Sequence, residues 1–366
     1  MAPAVSAYTV IHAVTRALYA DLLSSSFWQS LIHAADYDAV LTLLSKSPYA
    51  SYVEISPTLL TPRRTVYQIR HHLIDVYTKL IRLAPQPARD VVARLWRHYE
   101  VDNVKAALRG NEAGANWDQV LHLLYPMDRH IAVGADRLRQ MVEAPGIEHA
   151  VEALDGTPYY EVLSHALARY HAERTLFPLE VALDLGYRRS LWETINRLSG
   201  LDHEMALRTV GNFLDGDNLL WAIRYQVYHG LSEEEIINYT LAVGYLVRDR
   251  SIRAIARGAS IDEVVFRIYP EFQSELRGTA LNSGEGLLRL ERLILERALA
   301  ECRRAFVGYP FHIGIPLGYV WLSEYEIRDL TVIIEAKAAG TPVEVFTPML
   351  VVALKGAEVE RQGAFM

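Results

Sequence analysis

Apolar residues recur at helical spacing along much of the chain. Between residues 66 and 83 they lie three or four positions apart, at Val66, Ile69, Leu73, Val76, Leu80 and Leu83. A second amphipathic stretch covers residues 285–306, where one face carries Leu288, Leu295, Leu299, Cys302 and Phe306. Both patterns predict long helices with one buried stripe. Because alternation of apolar and polar residues is rarely sustained for five positions, we expect an all-α fold with little or no sheet.

Turn-forming residues divide these runs into helices of ordinary length. The turn signals are Ser56-Pro57, Thr61-Pro62, Pro85 to Pro87, Asp155 to Pro158, Pro178, Asp215-Gly216-Asp217, Gly308 to Pro310 and Thr341-Pro342. No low-complexity linker separates the helices.

A polar residue, an apolar residue and a glycine recur in three copies at nearly constant spacing. The copies are Asn103, Leu108 and Gly114; Asn218, Ile223 and Gly230; and Asp329, Ile334 and Gly340. The glycine follows the polar residue by 11 positions in the first and third copies and by 12 in the middle copy. Because the copies lie 115 and 111 residues apart, each repeating unit is nearer to a small domain than to a solenoid repeat.

Each glycine of the repeat is followed by residues that favour a new helix start. Capping boxes are predicted at Asn116 with Gln119, at Ser232 with Glu235 and at Thr341 with Glu344. A helix that ends at a left-handed glycine and a second helix that begins at a side-chain cap form a helical hairpin. We therefore expect helical repeat domains at 1–126, 127–248 and 249–366, with approximate boundaries and with terminal helices that the domains can exchange.

The composition is that of an ordinary soluble globular protein, with 51% hydrophobic and 22% charged residues. The net charge is −7 and the 37 Lys and Arg are scattered, so no nucleic-acid partner is expected. A single cysteine, Cys302, suits the reducing cytoplasm. The N-terminal stretch has the pattern of an amphipathic helix, not of a signal peptide. The least charged stretch, Phe311 to Leu322, is too short to span a bilayer.

The sequence contains no motif of nucleotide or zinc chemistry, so we expect no catalytic, metal-binding or cofactor-binding residues. Two pairs at helical spacing, His71 with Asp75 and Glu180 with Asp184, have the residue types of an acid–base or metal pair. A polar helix face accounts for the first pair. Acidic residues near a helix start interact well with the macrodipole, which accounts for the second.

Four stretches of the chain carry a family resemblance: LWRHYEVDNVKAALRG, TPYYEVLSHAL, LFPLEVALDLGYRRSLW and PFHIGIPLGYVWLSEYEIRDLTVIIEAKAAGTPVEVF. They resemble the C subunit of the archaeal and bacterial V/A-type ATPases, whose eukaryotic equivalent is the d subunit. The segment YTVIHAVTRALYADLLSSSFWQSLIHAADYDAVLTLLSKSPYA is similar to the opening helices of that family, so the resemblance runs nearly end to end.

The resemblance implies an all-α, funnel-shaped protein whose three similar helical domains surround a pseudo-threefold axis. It implies a non-catalytic rotor connector without cofactors, peripheral to the cytoplasmic face of the membrane and without a transmembrane segment of its own. Its partners would be the D and F subunits of the central shaft and the membrane proteolipid (c/K/L) ring. The middle copy departs from the family pattern at Gly216 and at the extra residue before Gly230.

Two other classes of function stay open at this point. The first is a helical protein-binding adaptor unrelated to rotary ATPases. The second is an enzyme with an active site between domains, for which His71, Asp75, Glu180 and Asp184 are the first suspects.

Overall fold

The computed structural model describes residues 5–53, 61–126 and 131–353, and no β-strand occurs among them. The α-helices are α1 Val5–Ala20, α2 Ser25–Ile32, α3 Tyr37–Leu44, α4 Ala50–Val53, α5 Pro62–Leu83, α6 Ala88–Glu112, α7 Trp117–Leu121, α8 Ala135–Val142, α9 Ile147–Glu152, α10 Tyr160–Glu173, α11 Phe177–Ile195, α12 Gly200–Ala206, α13 Asn212–Val227, α14 Glu233–Asn238, α15 Asp249–Ala256, α16 Ile261–Ile268, α17 Phe272–Glu275, α18 Gly284–Arg304, α19 Gly314–Ala338 and α20 Val343–Phe346. A π-helical turn, Leu207–Gly211, directly precedes α13. The all-α prediction is confirmed.

Helix α5 contains the whole predicted stretch, begins at Pro62, before that stretch, and buries the face that the periodicity predicts. Thr61 caps its N-terminus by accepting the Arg64 N–H at 3.3 Å, and Pro62 occupies the first turn, where its missing N–H costs nothing. The predicted stripe is buried at Val66, Ile69, Leu73, Val76 and Leu80. The predicted turn at Ser56-Pro57 lies outside the described residues.

Helix α18 confirms the second amphipathic stretch but corrects its face. Leu299 and Cys302 are buried as predicted, so Cys302 is a core residue, and Phe306 is buried just beyond the end of the helix. Leu295 is half-buried. Leu288 is 68% exposed, so its assignment to the buried face was wrong. The buried stripe passes instead through Leu287, one residue or about 100° around the helix from Leu288.

The turn predicted at Asp215-Gly216-Asp217 is also wrong, because these residues lie inside α13. Asp and Gly usually favour turns, but here each has a packing role. The Asp215 carboxylate is buried and accepts backbone N–H groups, as described below. A Cβ atom on Gly216 would lie 2.6 Å from Ile294 Cγ2 of α18, so glycine permits the close approach of the two helices.

The chain divides into two compact units. Unit 1 contains the described residues of Met1–Val5, Gln86–Arg94 and Glu161–Gly318, and unit 2 those of Ser6–Pro85, Leu95–Tyr160 and Tyr319–Met366. Each unit therefore combines segments that are distant in sequence. The three repeat domains expected at 1–126, 127–248 and 249–366 stay a prediction.

The core of unit 1 forms where α13 packs against α18. Leu219 and Ile223 of α13 and Leu290 and Ile294 of α18 belong to one buried cluster. This cluster also takes in residues from α15, α16 and α17: Ile252, Ile255, Val264, Val265 and Phe272. Short helices are marginal alone, so those around α13 depend on this shared apolar surface for their stability.

In unit 2, aromatic side chains connect α5 to α6. Tyr77 of α5 lies 4.7 Å from Trp96 of α6 between ring centroids, Trp96 lies 4.9 Å from Tyr99, and Tyr99 lies 4.5 Å from Tyr125. Aromatic pairs in this range add to the stability gained from burial alone. Within the described ranges, no helix has both the length and the apolar character needed to cross a membrane.

We predict that Gly216→Ala destabilises the protein by about 1–3 kcal/mol, because the new methyl group overlaps the stiff β-branched side chain of Ile294. The matched control is Gly186→Ala in α11, whose Cβ would lie 3.6 Å from Val162, an ordinary contact. Alanine favours a helix over glycine by about 1 kcal/mol, so the control should be neutral or stabilised. Urea denaturation checks both variants, and equal stabilities would contradict the prediction.

Candidate functional site

Each glycine of the repeat signature ends its helix in the left-handed conformation. The φ angles are 65° at Gly114, 58° at Gly230 and 66° at Gly340. These values are unfavourable for residues with a Cβ atom, so glycine is needed at all three turns. The capping boxes predicted after two of the turns are present, at Asn116 with Gln119 and at Ser232 with Glu235.

The third predicted capping box is wrong. Pro342, not Thr341, occupies the N-cap of α20, and no side chain caps that helix. Proline fixes the backbone entry into α20 without a side-chain acceptor. The Thr341 N–H has a different role, since it donates to the carbonyl of Ala336 at 2.8 Å and closes the hairpin.

The extra residue of the middle copy changes the backbone hydrogen bond that closes its hairpin. Ala115 and Thr341 each donate to the carbonyl five residues earlier, at 2.9 and 2.8 Å. Leu231 donates to the carbonyl six residues earlier, at 3.1 Å. The middle hairpin thus absorbs its insertion in a wider turn.

The polar residue of each copy is buried and binds the backbone of a loop. Asn103 accepts the Tyr125 N–H at 2.7 Å and donates to the Tyr125 carbonyl at 3.0 Å. Asn218 makes the same two hydrogen bonds with Leu241, at 2.7 and 2.9 Å. The bound residue lies 22 positions after Asn103 and 23 after Asn218.

Asp329 binds a loop at the same distance along the chain but in a different way. Its carboxylate accepts the N–H groups of Val351, Val352 and Ala353 at 2.7–3.1 Å, beginning 22 residues downstream. A carboxylate accepts at both oxygens, whereas an amide accepts at one and donates at the other. The side chain of each copy therefore matches the backbone groups that its loop presents.

The apolar residues of the signature lie in the cores of their units. Leu108, Ile223 and Ile334 are completely buried.

Each copy also contains a buried acid, whose structural role the sequence analysis did not single out. Glu100, Asp215 and Glu326 precede Asn103, Asn218 and Asp329 by three positions, which places each pair on one helix face. All three acids are buried. The signal was available, since an acidic residue stands three positions before the polar residue in every copy.

In α6, Glu100 binds two parts of the chain at once. One oxygen accepts the N–H groups of Ala132 and Val133 at 2.5 and 2.6 Å, and the other accepts the Tyr159 hydroxyl at 2.7 Å. The middle copy uses the shorter Asp215, which accepts the N–H groups of residues 245, 246 and 247 at 2.9, 2.5 and 3.1 Å.

In α19, Glu326 makes contacts of the same kind with residues of the N-terminal segment. It accepts the Leu23 N–H at 2.8 Å and the Tyr49 hydroxyl at 2.9 Å. Tyr49 and Tyr159 both follow a Ser-Pro or Thr-Pro dipeptide. The N-terminal segment therefore supplies α19 with a backbone N–H and a tyrosine hydroxyl as donors, as residues 132–159 do for α6. This contact lies within unit 2.

Burial raises the pKa of three of these acids. The pKa of Glu326 rises to about 7, and those of Asp215 and Asp329 rise to about 6. The hydrogen bonds that each carboxylate accepts favour the charged form, but desolvation is the larger effect in all three.

The His71–Asp75 and Glu180–Asp184 pairs, considered above for an active site, have structural roles in their helices. Asp75 accepts the Tyr52 hydroxyl at 2.5 Å, and burial lowers the pKa of His71. Glu180 lies in the first turn of α11, as the macrodipole interpretation predicts. Asp184 forms an ion pair with Arg188 at 3.6 Å. In the part of the chain that the structure describes, no three His, Cys, Asp or Glu side chains form a group that could hold a metal ion.

We predict that Asp329→Asn destabilises the protein by about 1–3 kcal/mol, because the amide group turns a donor toward backbone N–H groups. Asn218→Asp should have a similar cost, because the carboxylate faces the Leu241 carbonyl. The control is Asn282→Asp at an exposed position, which should change stability little. Chemical denaturation measures the stability of all three variants. If the control were destabilised and the two site variants were as stable as the wild type, the side chains would not be matched to their loops.

Glu326 should make stability depend on pH near neutrality. Its folded pKa of about 7 lies above the value of an exposed glutamate. Its contribution is therefore full below about pH 4 and declines as the pH rises through 7. We expect the stability advantage of the wild type over Glu326→Gln to shrink between pH 5 and 8. Urea denaturation at each pH tests this against Glu335→Gln, an exposed control on the same helix. A difference independent of pH would contradict the assignment.

The comparisons with known proteins agree with the sequence resemblance. The family model of the ATP synthase (C/AC39) subunit matches residues 11–346. The C subunit of the A-type ATP synthase of Methanocaldococcus jannaschii is 24% identical over 348 residues, which cover 94% of this chain and 86% of the relative. The equivalent protein of Methanobrevibacter smithii is 27% identical over 281 residues, covering 76% and 72%. That of Haloferax volcanii is 25% identical over 294 residues, covering 78% and 80%. The chain therefore belongs to the ATP synthase (C/AC39) subunit family.

Proposed function

We propose that this chain is the non-catalytic rotor connector of a V/A-type ATPase. It links the central shaft, formed by the D and F subunits, to the membrane proteolipid ring and transmits torque during ATP synthesis or hydrolysis coupled to ion transport. The observation that carries the proposal is the family match over residues 11–346. The relatives from A-type ATP synthases, similar along most of their length, support it.

A connector under torque must resist sliding between its helices and loops. The long helices α6, α13 and α19 each carry two buried polar side chains, three residues apart, that bind loop backbone directly. Hydrogen bonds are directional, and they strengthen where water is excluded. Together with close-packed apolar contacts, they give each unit the stiffness that torque transmission requires.

The proposed connector consists of three related helical domains in a pseudo-threefold, funnel-shaped arrangement. The equivalent hydrogen bonds of Asn103 and Asn218 support the relation between the first two copies. The binding of Leu23 and Tyr49 by Glu326 supports an exchange of terminal helices, in which the N-terminal segment completes the third domain.

The proposed location is the cytoplasmic face of the membrane, to which the protein is peripheral through the proteolipid ring. Stable interfaces of this kind bury roughly 1,000 Å² or more, so each partner should cover a substantial part of the surface.

Copurification tests the proposal. We expect the purified chain to bind the D and F shaft and, separately, a detergent-solubilised proteolipid ring from the same organism, each as a complex that survives size-exclusion chromatography. A helical protein of similar size from outside the family provides the control. Binding to neither partner would overturn the proposal. Stable binding to other proteins but to neither shaft nor ring would favour the adaptor function.

A further inference from the structure

A cavity of about 340 Å³ lies within unit 2, between α5, α6, α19 and the loop at Tyr125. Four aromatic residues line it: Tyr99, Tyr125, Trp321 and Tyr325. Small-molecule sites in proteins have about this volume, and they usually combine aromatic walls with a few polar groups.

Two guanidinium groups form part of the cavity wall. Arg70 lies over the Tyr125 ring at 4.4 Å from its centroid, and Arg328 lies over the Tyr325 ring at 5.5 Å. Stacking on a ring holds a guanidinium in place but leaves its N–H edges available for an acceptor. Among the described residues, neither arginine has an ion-pair or hydrogen-bond partner. The wall therefore presents two guanidinium groups that form no ion pair within the described residues, a half-buried one at Arg70 and an exposed one at Arg328 whose charge also acts on the adjacent Asp329.

The acidic residue of the same wall is already engaged. Glu324 accepts the Tyr77 hydroxyl at 2.5 Å, and His98 Nε2 lies 3.8 Å from its other oxygen. Burial raises the pKa of Glu324, while His98, Tyr77 and Tyr99 favour its charged form. The carboxylate thus interacts with groups on α5 and α6 and forms no ion pair with either cavity arginine within the described chain.

A neighbouring cavity of about 580 Å³ adjoins the first. It shares Arg70 and Tyr125 with the first cavity and is also lined by Lys105 and Arg109. Asp102 offsets Lys105, whose ammonium nitrogen it meets at 3.0 Å. Grouped positive charge in a concave surface concentrates anions.

We propose that the 340 Å³ cavity binds a small organic anion in which a phosphate or carboxylate is attached to a planar ring. Arg70 and Arg328 hold the anionic group, for which guanidinium forks are well suited. The aromatic walls hold the ring. This site goes beyond the connector function, and it is tested on the isolated chain, so failure of one proposal leaves the other unaffected.

The test uses AMP, which carries both a planar ring and a phosphate. Adenosine lacks the phosphate, and inorganic phosphate lacks the ring. Isothermal titration and saturation-transfer NMR should detect AMP binding to the wild type, with adenosine and phosphate binding more weakly by about tenfold. Arg70→Gln and Arg328→Gln should each weaken AMP binding by a similar factor. The matched control is Arg64→Gln, at an exposed position of α5 outside the cavity wall.

Several outcomes would overturn the proposal. AMP failing to bind at millimolar concentration is one, and an unchanged affinity in both cavity variants is another. Equal affinity for AMP and inorganic phosphate would remove the role of the ring. If AMP does not bind but Arg328→Gln weakens binding of the D and F shaft, a protein carboxylate occupies the cavity instead. Thermal melting of each variant separates lost binding from lost folding.

Discussion

Irregular loops that cross a buried helix face bring backbone N–H and C=O groups out of contact with water. Each such group needs a partner, because a buried unsatisfied donor or acceptor costs about 1–3 kcal/mol. In this protein, side chains of α6, α13 and α19 supply the partners. Two acceptor positions, three residues apart on each helix, fix where the bound loops pass. Most of these loops follow their helix in the chain, but Glu326 of α19 binds one that precedes it. The short helices between these loops then pack where the loops place them.

Much of the fold could be predicted from the sequence because helical periodicity is a local signal. The stripe from Val66 to Leu80 is the clearest case, since every position is set by its neighbours within two turns. The errors arose where distant contacts overrule local preference. Gly216 looks like a turn residue until Ile294, 78 positions further along the chain, packs against it. Leu288 was placed on the wrong face because adjacent leucines leave the position of the stripe ambiguous.

The candidate site was only half visible in the sequence. The glycines were found because a left-handed turn restricts the residue type strongly, and Asn103 and Asn218 because they recur with them. The burial of Glu100, Asp215 and Glu326 was not predicted, because a recurring acidic position does not by itself distinguish a buried carboxylate from a solvated one. Their partners lie far along the chain, and Leu23 is 303 residues from Glu326. Such pairings depend on tertiary structure.

The matching of side chain to loop also limits how these copies can recombine. The loop at Tyr125 presents one donor and one acceptor to Asn103, while residues 351–353 present three donors to Asp329. In a chimera that exchanged these loops alone, Asn103 would face three backbone donors, and Asp329 would face a backbone carbonyl that it cannot bind. The loops are therefore not interchangeable, and only a loop transplanted together with the side chain that binds it should be accepted.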